Sequence, residues 1–425
     1  MSGSDVFSFD STLLNSPVAV ADAVRGLYRE LRLGRCVSAH VCGSRSEQAA
    51  GWLGYALEQA GIPFRLGVTE TNDAAIDASL LQLVVSSGPP QDPGITAPAS
   101  SAPLRIVLLG LGTVGLGVYR HLSARPDLFD VRRVVVRDIE KHRGDGVPGE
   151  RLSTNLWQAI NEPADLVIEL LGGIEPAGDV VHAALLRGRT VITANKALIA
   201  TRWDTFERHA RAPHPRLRFS AAVGGSLPVL ETLERLAADG PIERVRAVIN
   251  GTCNFVLDEL AHGETLADAI ALAQRQGFAE ADPSLDLAGV DAAQKLSLIA
   301  RAACGIAPDP AAIPRKGIGH LAPAAVVAAH TRGQRIRLVA SCVRERGTIR
   351  ARVRPEVLEA SDFLAGARRE ENRIEITAAS GTTYRLAGKG AGRWPTALAV
   401  MADVDDVRDA RAFDANATPA RSAHG

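Results

Sequence analysis

Residues 104–115 read Leu-Arg-Ile-Val-Leu-Leu-Gly-Leu-Gly-Thr-Val-Gly, a short apolar run that ends in three glycines at fixed spacing. The run has the length of a buried strand, and the stretch 113–123 behind it predicts a helix. Gly110 permits the tight turn between them, Gly112 lets the backbone approach a phosphate, and Gly115 lets the helix pack closely on the strand. The unpaired amides at the start of such a helix suit an anion. In this context the glycines favour dinucleotide binding over a merely structural turn. Further apolar runs at 131–136, 166–171 and 190–193, with a helical pattern at 178–186, continue the alternation. Strands separated by helices cannot pair as hairpins, so the pattern implies an α/β fold with a parallel sheet.

Beyond residue 224 the alternation breaks. The pattern predicts a long helix at 227–237, a strand at 243–249 and helices through Cys304. Strands follow at 335–343, 348–353, 373–378 and 383–387. We therefore divide the chain into a Rossmann-type, doubly wound dinucleotide-binding domain at 104–228 and an α+β domain at 229–404. Ahead of them, 86–103 holds five prolines and almost nothing to bury, which predicts an extended linker. Residues 1–85 read as a small α+β domain, with helices at 17–32 and 46–60 and strands at 37–42, 63–69 and 78–85. Its βαββ order resembles half of an ACT-type regulatory domain, and an accessory packing domain fits equally. The polar stretch 405–425 reads as a disordered tail.

At 425 residues the chain has room for two or three domains, and 46% hydrophobic residues suffice for their cores. Its 48 Lys and Arg balance 48 Asp and Glu, which argues against a nucleic acid or a membrane surface as the main partner. The five cysteines, Cys36, Cys42, Cys253, Cys304 and Cys342, are odd in number and form no Cys-x-x-Cys pair. They read as reduced thiols of a cytoplasmic protein, not as disulfides or zinc ligands. The N-terminus shows no signal-peptide pattern, and no apolar run is long enough to cross a bilayer.

The even charge conceals a bias. Only Lys141, Lys196, Lys295, Lys316 and Lys389 are lysine; arginine supplies the other basic residues. A desolvated lysine can release a proton near neutral pH and arginine cannot, so the lysines are the candidates for proton transfer. Lys295 follows four carboxylates, Glu280, Asp282, Asp286 and Asp291. Asp291 and Lys295 stand four residues apart in a predicted helix at 291–303, on one face. Such a cluster suits a charged amino acid and a proton transfer. The plainer alternative makes Asp286 a helix cap and Asp291–Lys295 an exposed ion pair worth little.

Three other positions stand at predicted ligand-binding edges. Lys196 follows the strand at 190–193, at the carboxyl end where doubly wound sheets bind ligands. Arg137 ends the second strand, where an acid usually grips a ribose hydroxyl. Arginine there suits a 2′-phosphate, which favours NADP over NAD; the alternative is a solvated basic surface with Asp138 in the acid's role. Gly390, in the glycine-rich turn 388–392, borders the cofactor or makes a tight interdomain turn. Cys253 has no general base beside it and reads as packing.

Taken in order, seven motifs resemble those of the homoserine dehydrogenase family. They are GLGTVG at 110–115, ELLGGIEPA at 169–177, VITANKAL at 191–198, AAVGGSLPVL at 221–230, NGTCNFVL at 250–257, GFAEADPSLDLAGVDAAQKL at 277–296 and GAGRWPTALAV at 390–400. The resemblance covers about 104–403 and implies reversible reduction of L-aspartate 4-semialdehyde to L-homoserine with NAD(P)H. That reaction stands at a branch point toward threonine, isoleucine and methionine. The resemblance also implies that the domain at 229–404 is catalytic and dimerising, in a homodimer. Gly110, Leu111, Gly112, Thr113, Val114, Gly115, Arg137, Lys196 and Gly390 would meet NADP, with NAD as the alternative.

By the same resemblance, Lys295 would be the general acid, and Asp291 would orient it and touch the substrate. Glu280 would bind the substrate ammonium with Asp286 nearby, and Thr252 would line the pocket. Lys196 would stand beside the nicotinamide and substrate as the rival proton donor. A sodium-type cation would sit on main-chain carbonyls at Ser220, Val223, Gly225 and Leu227. The chain departs from the family pattern with Ser220 in place of the usual Glu and Ser226 in place of the usual Gly, which weakens the cation expectation. With no ACT-type domain after the last motif, threonine feedback by that route is not expected. Two other readings are a catalytically silent nucleotide-binding regulatory subunit and another NAD(P)-dependent amino-acid dehydrogenase.

Overall fold

The computed structural model describes residues 6–10, 17–32, 38–42, 53–54, 56–60, 62, 64–66, 76–77 and 81–86, and all of 102–417 except 212–214, 346 and 391. Residues 87–101 of the linker expected at 86–103, and parts of the expected elements at 37–42, 46–60, 63–69 and 78–85, lie outside the described residues.

Strand Leu104–Leu109 is buried at every position except Arg105, as befits a parallel strand covered on both faces. It lies inside a six-stranded parallel sheet whose order is Leu217–Arg218, Thr190–Thr193, Leu166–Glu169, Leu104–Leu109, Phe129–Val135, Leu152–Ser153. The chain runs outward from Leu104–Leu109 on one side, then returns to build the other side. The order therefore reverses between Leu104–Leu109 and Leu166–Glu169, and the crevice beyond their carboxyl ends is where such sheets bind ligands.

The second sheet is antiparallel over Thr348–Glu359, Gln334–Glu345, Ile242–Val248, Glu371–Ala378 and Thr383–Lys389. The strand Glu371–Ala378 alternates buried and half-buried positions through Ile376, the pattern of a sheet covered on one face. Helices Gly251–Ala261, Val290–Cys304 and Pro323–Thr331 pack on the sheet. One apolar core joins the two sheets, for it includes Val107 and Val167 as well as Val245 and Ile374. Arg301, on helix Val290–Cys304, stacks 3.6 Å from the Trp203 ring and so ties that helix to the dinucleotide-binding half.

The N-terminal region departs from expectation in topology and in packing. Its strands run Val6–Asp10, Ser38–Cys42, Leu81–Ser86, Phe64–Leu66, and every pair is parallel. A βαββ unit of the ACT type would join consecutive strands as an antiparallel hairpin, so this is a small parallel α/β sheet and not the α+β domain expected. Short apolar runs carry no signal of strand direction, which is why the sequence pattern misled here. Nor is the region set apart. Leu27, Tyr28, Leu53 and Leu57, each at most 1% exposed, share a core with Ile106, Val118, Leu398 and Met401.

The C-terminal stretch departs as well. Residues expected to be a disordered tail from 405 onward continue a helix, Arg393–Ala417, and only 418–425 lie outside the described residues. Its acidic side is neutralised by the N-terminal helix Pro17–Arg32. Arg25 meets Asp405 at 3.2 Å, Arg29 meets Asp409 at 2.7 Å, and Arg32 meets Asp403 at 2.8 Å. The aspartates look solvated in sequence because their partners lie more than 370 residues earlier.

Because these two helices share a core with the dinucleotide-binding sheet, Leu27→Ala should destabilise the whole protein, by about 2–5 kcal/mol. Calorimetry should show one unfolding transition, lowered in the variant. A separate transition for the N-terminal region, the only one affected, would contradict the shared core.

Candidate active site

The glycine turn is built as its spacing requires. Gly110 has a φ of 99°, and a Cβ there would lie 2.5 Å from the Leu170 carbonyl oxygen, so the turn abuts the neighbouring strand end across the switch point. A Cβ on Gly115 would strike the Gly110 carbonyl, whereas Gly112 faces open space. Helix Thr113–Ser123 starts at that opening with no side-chain cap, which leaves its first amides available to an anion. Arg137 is exposed just past strand Phe129–Val135. Its neighbour Asp138 accepts hydrogen bonds from the amides of Glu140, at 2.9 Å, and Lys141, at 3.5 Å. One oxygen of that carboxylate is occupied in a turn, and both Arg137 and Asp138 are exposed at the strand end.

On the other side of the switch point, Glu169 is fully buried between two loops. It accepts hydrogen bonds from the Leu171 amide, at 2.8 Å, and from the Thr193 hydroxyl. Asn195 accepts from the Leu198 amide as the cap of helix Lys196–Thr201, and donates to the Gly173 carbonyl at 2.6 Å. These bonds fix the loop that starts the helix at Lys196.

Lys196 then meets the second half of the molecule. Its Nζ lies 3.1 Å from Asp291 Oδ1, and Lys295 Nζ lies 2.8 Å from Asp291 Oδ2. Asp291 and Lys295 share one face of helix Val290–Cys304, as their spacing requires. Lys295 also donates to the Ile249 carbonyl at 2.8 Å, so two acceptors hold its ammonium. Asn250 caps helix Gly251–Ala261 by accepting from the Cys253 amide. Its Nδ2 donates to Asp286 Oδ1 at 2.7 Å and to Asp291 Oδ2 at 2.9 Å. The Thr252 hydroxyl donates to the Phe278 carbonyl at 2.8 Å and lies 3.4 Å from Asp286 Oδ2.

The electrostatics follow from that arrangement. Burial would raise the Asp291 carboxyl, but Lys295, Lys196 and the hydrogen bonds from Lys295 and Asn250 hold it well below the usual carboxylate range. Asp291 raises the Lys196 ammonium against the opposing effect of burial, so Lys196 stays charged. Asp286 moves the other way: burial and the charge of Asp291 raise it. Burial, with Asp286 and Asp291 adding to it, pushes the Cys253 thiol well up, and it donates to the Asp286 carbonyl at 3.3 Å. That thiol is packing, not a nucleophile.

Lys196, Thr252, Asp286, Asp291 and Lys295 thus form one cluster, with Glu280 exposed at its edge and adding its charge to the field at Lys196. Asp282 takes no part, since its carboxylate accepts from the Ser284 amide in a turn. Gly390 lies against Gly225, where a Cβ would meet the Gly390 carbonyl oxygen at 2.9 Å. Sequence reasoning missed Asn250 and Glu169. The cap signal of Asn250, a polar residue before an apolar helical run, was readable; its donation to two aspartates across the fold was not.

At the positions expected to hold a monovalent cation, two of the carbonyls are already engaged and a protein cation stands beside the loop. The Leu227 carbonyl accepts from the Val229 amide at 2.8 Å, and the Ser220 carbonyl from the Val223 amide at 3.4 Å. The Ser220 hydroxyl lies 2.9 Å from Arg32 Nη2 and 2.9 Å from Asp403 Oδ1, so a positive charge already stands there.

Comparison with known proteins agrees with this architecture. Residues 228–404 match the family described as homoserine dehydrogenase, and residues 110–220 match the one described as homoserine dehydrogenase, NAD binding domain. A homoserine dehydrogenase of Corynebacterium glutamicum is 38% identical over 334 residues, which span 75% of this chain and 74% of that one. One of Bacillus subtilis is 31% identical over 311 residues, 71% of this chain and 72% of that one. The crystal structure of a homoserine dehydrogenase from Thiobacillus denitrificans aligns with a TM-score of 0.68 at 34% identity, covering 75% of this chain and 76% of that one.

Asp291 should show its role in stability. Its depressed carboxyl contributes stability that is present above the unfolded-state value, roughly pH 4, and is lost as pH falls toward the folded-state value. Asp291→Asn should therefore lower Tm at neutral pH, with the gap to the wild type closing as pH falls below roughly 4. A gap that widens in acid would contradict the assignment.

Proposed function

The chain belongs to the homoserine dehydrogenase family, and from that premise we propose how its residues carry out the reduction of L-aspartate 4-semialdehyde to L-homoserine. The observation that carries the proposal is the single carboxylate of Asp291 held between the ammoniums of Lys196 and Lys295. A nicotinamide nucleotide supplies the hydride. The amides that open helix Thr113–Ser123 at Gly112 suit its pyrophosphate, and the exposed Arg137 favours the 2′-phosphate of NADP over NAD.

Hydride addition to an aldehyde leaves negative charge on its oxygen. Lys295 neutralises that charge and transfers a proton to it. The Asp291 carboxylate and the Ile249 carbonyl occupy two of its three N–H groups, which leaves the third for the substrate. Lys196 remains charged and adds to the field at the reacting oxygen. Glu280, exposed at the edge of the cluster, binds the substrate ammonium, with Asp286 as a second anion and Thr252 lining the pocket. The two lysines and two aspartates of the cluster balance, and Glu280 at its edge adds one negative charge for the substrate ammonium.

Two further assignments complete the proposal. The long strand Thr348–Glu359 is at the edge of its sheet, and such an edge suits pairing in a homodimer. Cys253, Cys304 and Cys342 are free thiols, and among the described residues no helix is long and apolar enough to cross a membrane, both of which suit the cytoplasm.

The test is nucleotide oxidation with aspartate semialdehyde. Lys295→Ala should lower kcat by roughly 10²–10⁴-fold while leaving nucleotide binding intact. Turnover near that of the wild type would pass the proton to Lys196. Arg137→Ala should raise KM for NADPH more than for NADH. Equal losses for the two nucleotides would overturn the assignment of Arg137 to the 2′-phosphate.

A further inference from the structure

We propose that the guanidinium of Arg32 is a built-in cation that replaces an exchangeable monovalent ion at the loop 220–227, which makes the N-terminal helix a working part of the dehydrogenase. The proposal rests on the position of that guanidinium at Ser220 among carboxylates and does not depend on which lysine moves the proton.

Arg32 ends helix Pro17–Arg32 and is 7% exposed. Its Nη2 lies 2.9 Å from Ser220 Oγ, 2.8 Å from Asp403 Oδ1, 2.8 Å from Glu231 Oε1 and 3.7 Å from Asp406 Oδ2. Asp403 is fully buried. Three carboxylates from two helices thus converge on one point, and a buried charge without a counter-charge is costly. Something positive must stand there. A sodium-type ion would meet that need in a site of main-chain carbonyls with a glutamate at 220. Here residue 220 is a serine, which removes one carboxylate and leaves room for a guanidinium, and its hydroxyl bonds to the guanidinium and to Asp403.

The second departure from the family pattern works in the same direction. Ser226 lies 3.3 Å through both its amide and its hydroxyl from the Lys389 carbonyl. The loop is thereby fastened to the glycine-rich turn 388–392 by protein groups. Gly225 packs against the same turn, since a Cβ there would meet the Lys389 carbonyl oxygen at 2.7 Å. Glu231 belongs to helix Val229–Asp239, which packs on helix Val290–Cys304, the carrier of Asp291 and Lys295. Arg32 is therefore a positioning residue: it fixes the loop and the helix behind the catalytic lysine without touching substrate.

The test uses the full chain and two readouts, Tm and kcat/KM, in chloride salts of choline, sodium and potassium at one ionic strength. The wild type should show the same Tm and the same kcat/KM in all three salts. Arg32→Met should lose on the order of 10 °C in Tm in choline, as expected when one partner of a buried ion pair is removed. Sodium or potassium should restore part of that loss in a saturable way, while Arg32→Lys should need neither. A wild type that gains Tm or kcat/KM saturably with sodium or potassium would overturn the proposal. So would an Arg32→Met protein whose loss no small cation restores, because Arg32 would then be an ordinary structural ion pair. If Arg32→Met does not fold, the wild-type titration decides alone.

Discussion

The site depends on one carboxylate shared by two ammoniums. Asp291 is 12% exposed at its side chain, and removal from water should have kept it neutral. Lys295 from its own helix and Lys196 from the other half of the molecule reverse that tendency. The arrangement is costly to desolvate and stable only when complete, which is the condition under which a buried ion pair rigidifies its surroundings. It also fixes the two lysines relative to each other. Lys196 follows a strand of the parallel sheet, Lys295 lies on a helix that covers the antiparallel sheet, and Asp291 bridges them.

Local backbone features bring these groups into register. Gly289, at a φ of 77°, lets the chain reverse between the turn at Ser284–Leu287 and helix Val290–Cys304. Asp286 and Asp291 consequently face the same amide of Asn250. Asn250 in turn is immobilised as the cap of its helix. One side chain thereby ties a helix start to two carboxylates, and the energy that caps the helix also orders the site. At the other end, the N-terminal and C-terminal helices clamp the loop 220–227 from behind through Arg32 and Asp403.

What was legible in the sequence had a local cause. The strand at Leu104–Leu109, the glycine turn and the four-residue spacing of Asp291 and Lys295 follow from periodicity and backbone sterics, and they appear where expected. What was not legible depends on contacts remote in sequence. Arg25, Arg29 and Arg32 look like the solvated face of a helix, and Asp403, Asp405 and Asp409 look like a polar tail, until the fold lays one on the other. Strand direction in the N-terminal sheet failed for a related reason, since pairing is a non-local choice that apolar runs do not encode. Asn250 falls between the two cases, with its cap readable and its cross-fold hydrogen bonds not.

The sharing of Asp291 is open to a direct measurement, a double-mutant cycle on kcat/KM for aspartate semialdehyde with Asp291→Asn and Lys295→Met. If Asp291 acts by holding Lys295, replacing Asp291 should cost far less once Lys295 is gone, so the two losses are strongly non-additive. Independent losses that simply add would contradict the account, because Asp291 would then contribute to catalysis without acting through Lys295.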